Sequence, residues 1–251
     1  MRRRVVLLAA LLLVAAGPPP AALPISRDTL PWWHARHEAK LAERLRSPVD
    51  LVFLGDSITQ DYERDGPDPW LDFRPVWQRF YADRHALNLG FNGDATSHLL
   101  WRMRNGEIDA IAPKAAVILI GANNLGHLHW STADTVQGID AVVAEARRRL
   151  PHARVVLLGI LPSVRNAWAT RTTREVNAAL AARYGGGRVA GVTYIDVSPA
   201  LTARGEVDLS LFFDPKLTPP EPPLHPSPEG QARMAETIEP TLSAMLGDRR
   251  H

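Results

Sequence analysis

A serine stands directly after a short apolar run, in Gly55-Asp56-Ser57-Ile58-Thr59. A serine hydroxyl becomes a nucleophile only when a base takes its proton, and the tetrahedral intermediate it forms needs hydrogen-bond donors for its oxyanion. Two more apolar runs end in glycine-assisted turns, at Asn88-Leu89-Gly90-Phe91-Asn92-Gly93-Asp94 and Gly121-Ala122-Asn123-Asn124. The Ser57 N–H, the Gly90 N–H and the Asn123 side-chain amide are therefore candidate oxyanion donors. At position 90 the missing Cβ would let a substrate approach the backbone closely. His225 precedes the last predicted helix and is the candidate base.

These residues share an address. Apolar runs of strand length lie at 49–54, 86–89, 116–120, 155–160 and 192–197, rich in Val, Ile and Leu without strict alternation. Strands buried on both faces read this way. Amphipathic stretches at 73–81, 97–105, 133–150 and 170–184 alternate with them, and Trp33, His37, Leu41 and Leu45 mark an earlier helix closed before Pro48. The last helix is predicted over 227–246, with Ser227 as N-cap, Pro228 at the first helical position and Glu229 in the first turn. This alternation predicts a parallel sheet of five strands covered by helices on both faces. In such a sheet the ligand site lies outside the carboxyl ends of the strands, where Ser57, Gly90 and Asn123 fall. The proline-rich stretch 214–228 reads as a loop within this one domain, because a single helix follows it.

Composition narrows the classes. The chain has 251 residues, 29 Lys plus Arg against 27 Asp plus Glu, and no cysteine. That rules out disulfides, thiolate metal sites and a cysteine nucleophile. A surplus of +2 gives little electrostatic reason for nucleic acid or an anionic membrane as partner. Arg2, Arg3 and Arg4 precede twelve apolar residues, 5–16, and then Gly17 and three prolines, the pattern of a secretory signal peptide. Residues 1–24 are expected to be that signal and 25–251 the functional domain, secreted or periplasmic, with no stable membrane insertion after cleavage. Its removal takes away three arginines and no acid, leaving 26 basic against 27 acidic residues.

The blocks around Ser57, Gly90, Asn123 and Leu224-His225-Pro226 resemble, in order and spacing, those of the GDSL or SGNH hydrolases. Within that family, Phe53-Leu54-Gly55-Asp56-Ser57-Ile58-Thr59 and Asn88-Leu89-Gly90 are most similar to the platelet-activating-factor acetylhydrolase-like bacterial esterases. The resemblance implies a flavodoxin-like three-layer α/β/α sandwich and hydrolysis of a small acyl ester, such as an acetyl ester of a carbohydrate or lipid, through an acyl-serine. It implies no metal and no organic cofactor, and a small-molecule or glycan ester as the partner.

One position departs from the pattern. The family places an aspartate three residues before the histidine, and here that residue is Pro222. Three replacements are open: Glu221, an acid such as Asp214 or Asp208 folding back across the loop, or a backbone carbonyl accepting the Nδ1–H. The carbonyl or Glu221 is the favoured expectation. On a missing-acid account Pro222→Asp should raise turnover, and a weakly active chain that binds a glycan or acyl ligand is the alternative reading. His127, His129 and Trp130 follow the Asn123 turn and are candidates for substrate binding. Trp70, Trp77 and Trp101 could stack on a sugar, but at helical spacing Trp77 and Trp101 read as core. Asp56 and Asp94 read as braces for their turns. No P-loop, dinucleotide or zincin motif is present.

Overall fold

The computed structural model describes residues 17–66 and 72–248. Most of the expected leader, 1–16, and Trp70 lie outside the described residues. The body begins earlier than the expected boundary at residue 25. Pro20–Ala22 forms a short 3-10 turn whose Ala21 is completely buried, and the Ala21 carbonyl accepts a hydrogen bond from Thr96 Oγ1 at 2.7 Å. Residues that read as the small-residue end of a signal are thus packed into the fold.

Helix α1 (Pro31–Glu43) leads into β1 (Leu51–Gly55), the short α2 (Ser57–Gln60) and α3 (Arg74–Phe80). Next come β2 (Ala86–Gly90), α4 (Thr96–Arg102), β3 (Ala115–Leu119), α5 (Ala122–Gly126) and α6 (Thr132–Arg149). The chain continues through β4 (Arg154–Leu158), α7 (Ala167–Tyr184) and β5 (Val192–Ile195). A small antiparallel pair, β6 (Thr202–Ala203) and β7 (Glu206–Val207), precedes the last helix, α8 (Pro228–Leu246). The five long strands lie in the order β2-β1-β3-β4-β5, all parallel. The five predicted strands are therefore all present; α2, α5 and the β6–β7 pair were not anticipated.

The pleat explains why the strands show no polar alternation. In β1, Val52 and Leu54 enter one core with Leu99 and Leu100 of α4, Ile139 of α6 and Val176 of α7. Leu51 and Phe53 enter a second core with Val76 and Phe80 of α3 and Met234 and Ile238 of α8. Both faces are buried, so every position is apolar. Trp77, half-buried against the second core, meets Phe53 in a tilted contact at 5.4 Å, and the half-buried Trp101 meets the buried Trp33 in a tilted contact at 5.3 Å, so both rings pack inward against aromatic neighbours. Among the described residues no helix is long and apolar enough to cross a membrane.

Candidate active site

Register brings the three motif turns level. Gly55 pairs with Gly90 on one side and with Leu119 on the other, so the turns after β1, β2 and β3 leave the sheet at one edge. Immediately after Gly55 the chain turns into α2, with Asp56 as its N-cap accepting from the Ile58 N–H at 3.0 Å. That turn is crowded. A Cβ on Gly55 would lie 2.1 Å from Thr59 Oγ1, and one on Gly90 would lie 2.2 Å from the Gln60 nitrogen. Both glycines are needed because α2 lies directly against the strand ends.

Ser57, at the start of α2, is 95% enclosed, and its Oγ lies 2.9 Å from His225 Nε2. The other ring nitrogen, Nδ1, lies 2.7 Å from Asp214 Oδ1. Asp214 Oδ2 accepts the backbone N–H groups of Leu224 at 2.8 Å and His225 at 2.6 Å. The result is a continuous Ser57–His225–Asp214 relay with its acid oxygens fully engaged. Burial pushes the Asp214 carboxyl upward, but His225 and the two N–H groups outweigh it and hold the carboxyl below its usual value. For His225, burial favours the neutral ring, yet the Asp214 hydrogen bond and the nearby Asp61 and Asp56 charges lift its pKa above 6.5.

The acid is thus neither Glu221 nor a carbonyl, and this corrects the favoured expectation. Glu221 is exposed and contributes its backbone N–H to the Asp214 carbonyl at 3.0 Å. Asp208 instead accepts from the Ser210 N–H at 3.1 Å. Pro222 is solvent-exposed in the same loop. The physical reason is closure of the loop at its base. Phe213 N–H donates to the His225 carbonyl at 3.1 Å, Ser227 N–H to the Leu211 carbonyl at 2.7 Å, and Phe212 bridges Pro226 in antiparallel fashion. Asp214 is carried back beside His225 although eleven positions separate them. The Phe213 ring also stacks on the imidazole, with centroids 5.3 Å apart.

The candidate oxyanion donors need one correction. Gly90 N–H is committed to Asn88 Oδ1 at 2.8 Å, and its carbonyl accepts from Arg36 Nε at 2.9 Å. The absent Cβ at 90 makes room for α2, not for substrate. In the same turn Gly93, at φ +72°, has an N–H that makes no hydrogen bond among the described residues. Asn123 spends one amide hydrogen on the Asp94 carbonyl at 2.9 Å, which orients the group and leaves its second hydrogen. Asn124 ties this turn to α4, accepting from the Thr96 N–H at 3.0 Å.

Behind the turns lies a buried charge network. Arg102, fully enclosed, reaches the carbonyls of Gly55 at 3.0 Å and Leu89 at 3.1 Å, Asp94 at 2.8 Å, and Glu107. Glu107 also holds His37 Nδ1 at 2.9 Å, and Asp94 accepts from Trp33 Nε1 at 2.9 Å. Asp94 is therefore the brace expected of it. Arg102 was not anticipated, although its place three residues after Leu99, on the apolar side of a predicted helix, was a signal. Asp56 is a brace as well: burial pushes its carboxyl to about 7, against the smaller opposing effect of the Ile58 N–H.

His127 and His129 are exposed on the loop after α5, with His129 edge-on to Trp168 at 5.3 Å; Trp130 is half-buried, and its backbone N–H donates to the Asn124 carbonyl at 2.8 Å. A cavity of about 710 Å³ opens beyond β5, lined by Ser163, Asn177, Tyr194 and Asp196 among others, and neither Ser57 nor His225 lines it. Among the described residues no group of three or more His, Asp and Glu side chains is placed to hold a metal ion.

A doubly covered parallel sheet with a serine–histidine–aspartate relay at its carboxyl edge defines a class of α/β protein built for acyl transfer. Comparison with known proteins narrows it. The profile of the GDSL-like lipase/acylhydrolase family matches residues 53–233, and the chain belongs to that family. Platelet-activating factor acetylhydrolase IB subunit alpha1 of Bos taurus is 39% identical over 131 residues, 52% of this chain and 51% of that protein. The chain thus spans about half the length of the curated relatives it matches. Among solved structures, a GDSL-like lipase from Bacteroides thetaiotaomicron superposes with a TM-score of 0.64 at 18% identity, covering 84% of this chain and 97% of the other. A carbohydrate esterase family 3 protein from Talaromyces cellulolyticus gives 0.57 at 17% identity, covering 80% and 100%. At these identities the structural likeness speaks for the fold alone.

Proposed function

We propose that this protein is an exported carboxylic ester hydrolase that removes a small acyl group, such as acetyl, from a carbohydrate or lipid alcohol. The observation that carries the reading is the unbroken relay from Asp214 through His225 to Ser57, at 2.7 and 2.9 Å. Family membership supports ester hydrolysis. The acetylhydrolase relatives support the choice of a small acyl group.

In this reading His225 Nε2 takes the Ser57 proton as Oγ attacks the ester carbonyl. The Ser57 N–H, the free Asn123 amide hydrogen and the Gly93 N–H receive the developing oxyanion. The protonated imidazole, stabilised by Asp214, then gives its proton to the departing alcohol. Water repeats the cycle on the acyl-serine and releases the acid. The alternative of a weakly active ligand-binding protein drew its support from Pro222, and Asp214 at His225 removes that support.

The test is hydrolysis of p-nitrophenyl acetate by the purified protein and by Ser57→Ala. Loss of turnover on the order of 10⁴-fold or more is expected from removing the nucleophile. Equal rates would overturn the reading and return the chain to the ligand-binding class. Export is tested by the N-terminus of the processed protein, which is expected upstream of the buried Ala21.

A further inference from the structure

The guanidinium groups around the site are matched by carboxylates, with one exception. Arg27 meets Asp94 at 3.0 Å, Arg64 meets Asp61 at 2.9 Å, and Arg102 lies between Asp94 and Glu107. Arg165, in the loop between β4 and α7, forms no ion pair among the described residues. Its Nε donates to Ser163 Oγ at 3.1 Å, while Nη1 and Nη2 make no hydrogen bond among them.

The position of this fork is specific. It lies across Gly126, the last residue of the helix that presents Asn123; a Cβ there would fall 2.2 Å from Nη1 and 3.1 Å from Nη2. Its charge is felt by Asp56 and Asp214, and His127 senses both Arg165 and His225. The group stands between the loop after β3 and the loop after β4, at the end of the helix that carries Asn123. It is half-buried, and burial acts against its charged form. A cation partly removed from water ordinarily has an anion beside it. The planar fork is shaped to give two parallel N–H bonds to a carboxylate or a phosphate.

We propose that Arg165 is a specificity residue that receives an anionic oxoacid group, carboxylate or phosphate, carried on the alcohol portion of the ester. The inference rests on the ester-hydrolase reading above, which assigns the small acyl portion to the other side of the scissile bond. Substrates of this class are acylated sugar acids, sugar phosphates and phospholipid-type alcohols. Among the described residues no carboxylate is paired with the fork, so a substrate anion would meet it without displacing one.

The test compares kcat/KM for para-acetoxybenzoate and para-acetoxyphenyl phosphate with that for neutral methyl para-acetoxybenzoate, in the wild type, Arg165→Gln and Arg165→Lys. The wild type is expected to prefer an anionic ester, and Arg165→Gln to lower the anionic-to-neutral ratio by about tenfold to a hundredfold, the worth of charge-assisted hydrogen bonds. Arg165→Lys should keep part of the preference. Raising salt from about 50 to about 500 mM should shrink the wild-type ratio. The two anionic esters show whether carboxylate or phosphate is the better fit. An unchanged ratio in Arg165→Gln, or a wild type that favours the neutral ester, would overturn the proposal. Calorimetric titration with the uncleaved amide para-acetamidobenzoate and its methyl ester separates the two claims. If no ester is hydrolysed the esterase reading fails, and Arg165 still stands or falls on whether the wild type binds the anion more tightly and Arg165→Gln does not.

Discussion

The two halves of the Ser57–His225–Asp214 relay are held in different ways. Ser57 and the turns beside it are fixed by the sheet, with backbone carbonyls around them taken up by buried side chains. The Gly55 and Leu89 carbonyls go to Arg102, the Thr59 carbonyl to Asn88 Nδ2 at 2.7 Å, and the Ile58 carbonyl to Gln231 Nε2 at 2.7 Å. Asp214 and His225 sit instead at the two ends of a proline-rich loop, pinned at its base and exposed along its length. In the first half spacing along the chain is rigid, because one extra residue would rotate Ser57 away from the sheet edge. In the second half spacing is free, because the base of the loop and not the number of residues sets the distance from acid to imidazole.

The sharpest way to break that comparison is Asp214→Asn. Neutralising the acid of such a relay costs on the order of 10⁴ in turnover through loss of the correct imidazole tautomer, and ester kinetics should show a loss of that size. The pH profile carries the sign. The base must be neutral, and the folded protein holds the His225 pKa above 6.5, so kcat/KM should fall as pH drops through a value above 6.5. In Asp214→Asn that acid limb should move to lower pH, since a contribution that raises the His225 pKa is gone.

Arg102→Met tests the other half. It leaves Asp94 and Glu107 buried without their cation, a change expected to cost about 3–5 kcal/mol of stability. Chemical denaturation measures it, and a loss below about 1 kcal/mol would mean the network is not what holds the turns. Deleting 215–222, so that Asp214 joins Pro223, should be far milder. If the base of the loop governs geometry, ester turnover should stay within about tenfold of wild type, because shortening a closed loop changes little entropy. Smallest of all is Pro222→Asp. With Asp214 already at Nδ1, the added carboxylate should change the rate by less than about twofold; a large gain would restore the missing-acid account.

This contrast also marks what could be read from the chain beforehand. The sheet, its five strands, Ser57, Asn123 and His225 were legible because glycine-bearing turns after apolar runs mark strand ends, and Ser227 does cap α8, accepting the Gly230 N–H at 3.3 Å. Asp214 was legible only as one of several acids, since local spacing says nothing about a loop closed by long-range backbone pairing. Gly90 was misread for a related reason. A glycine at a strand end invites a substrate or a neighbouring helix equally, and only packing shows that α2 occupies the space. The network that joins Arg102, Asp94, Glu107 and His37 was not legible, because its members lie on different elements, up to 70 positions apart.

The buried Ala21 has a practical bearing on all these experiments. Its carbonyl holds Thr96 Oγ1, which in turn accepts from Asn124 Nδ2 at 2.7 Å, next door to Asn123. A recombinant protein trimmed to begin at Ile25, where the leader pattern suggests a safe start, would remove this wedge and unseat the first link in that chain. Its poor activity would then reflect where the cut was made, not the chemistry of Ser57.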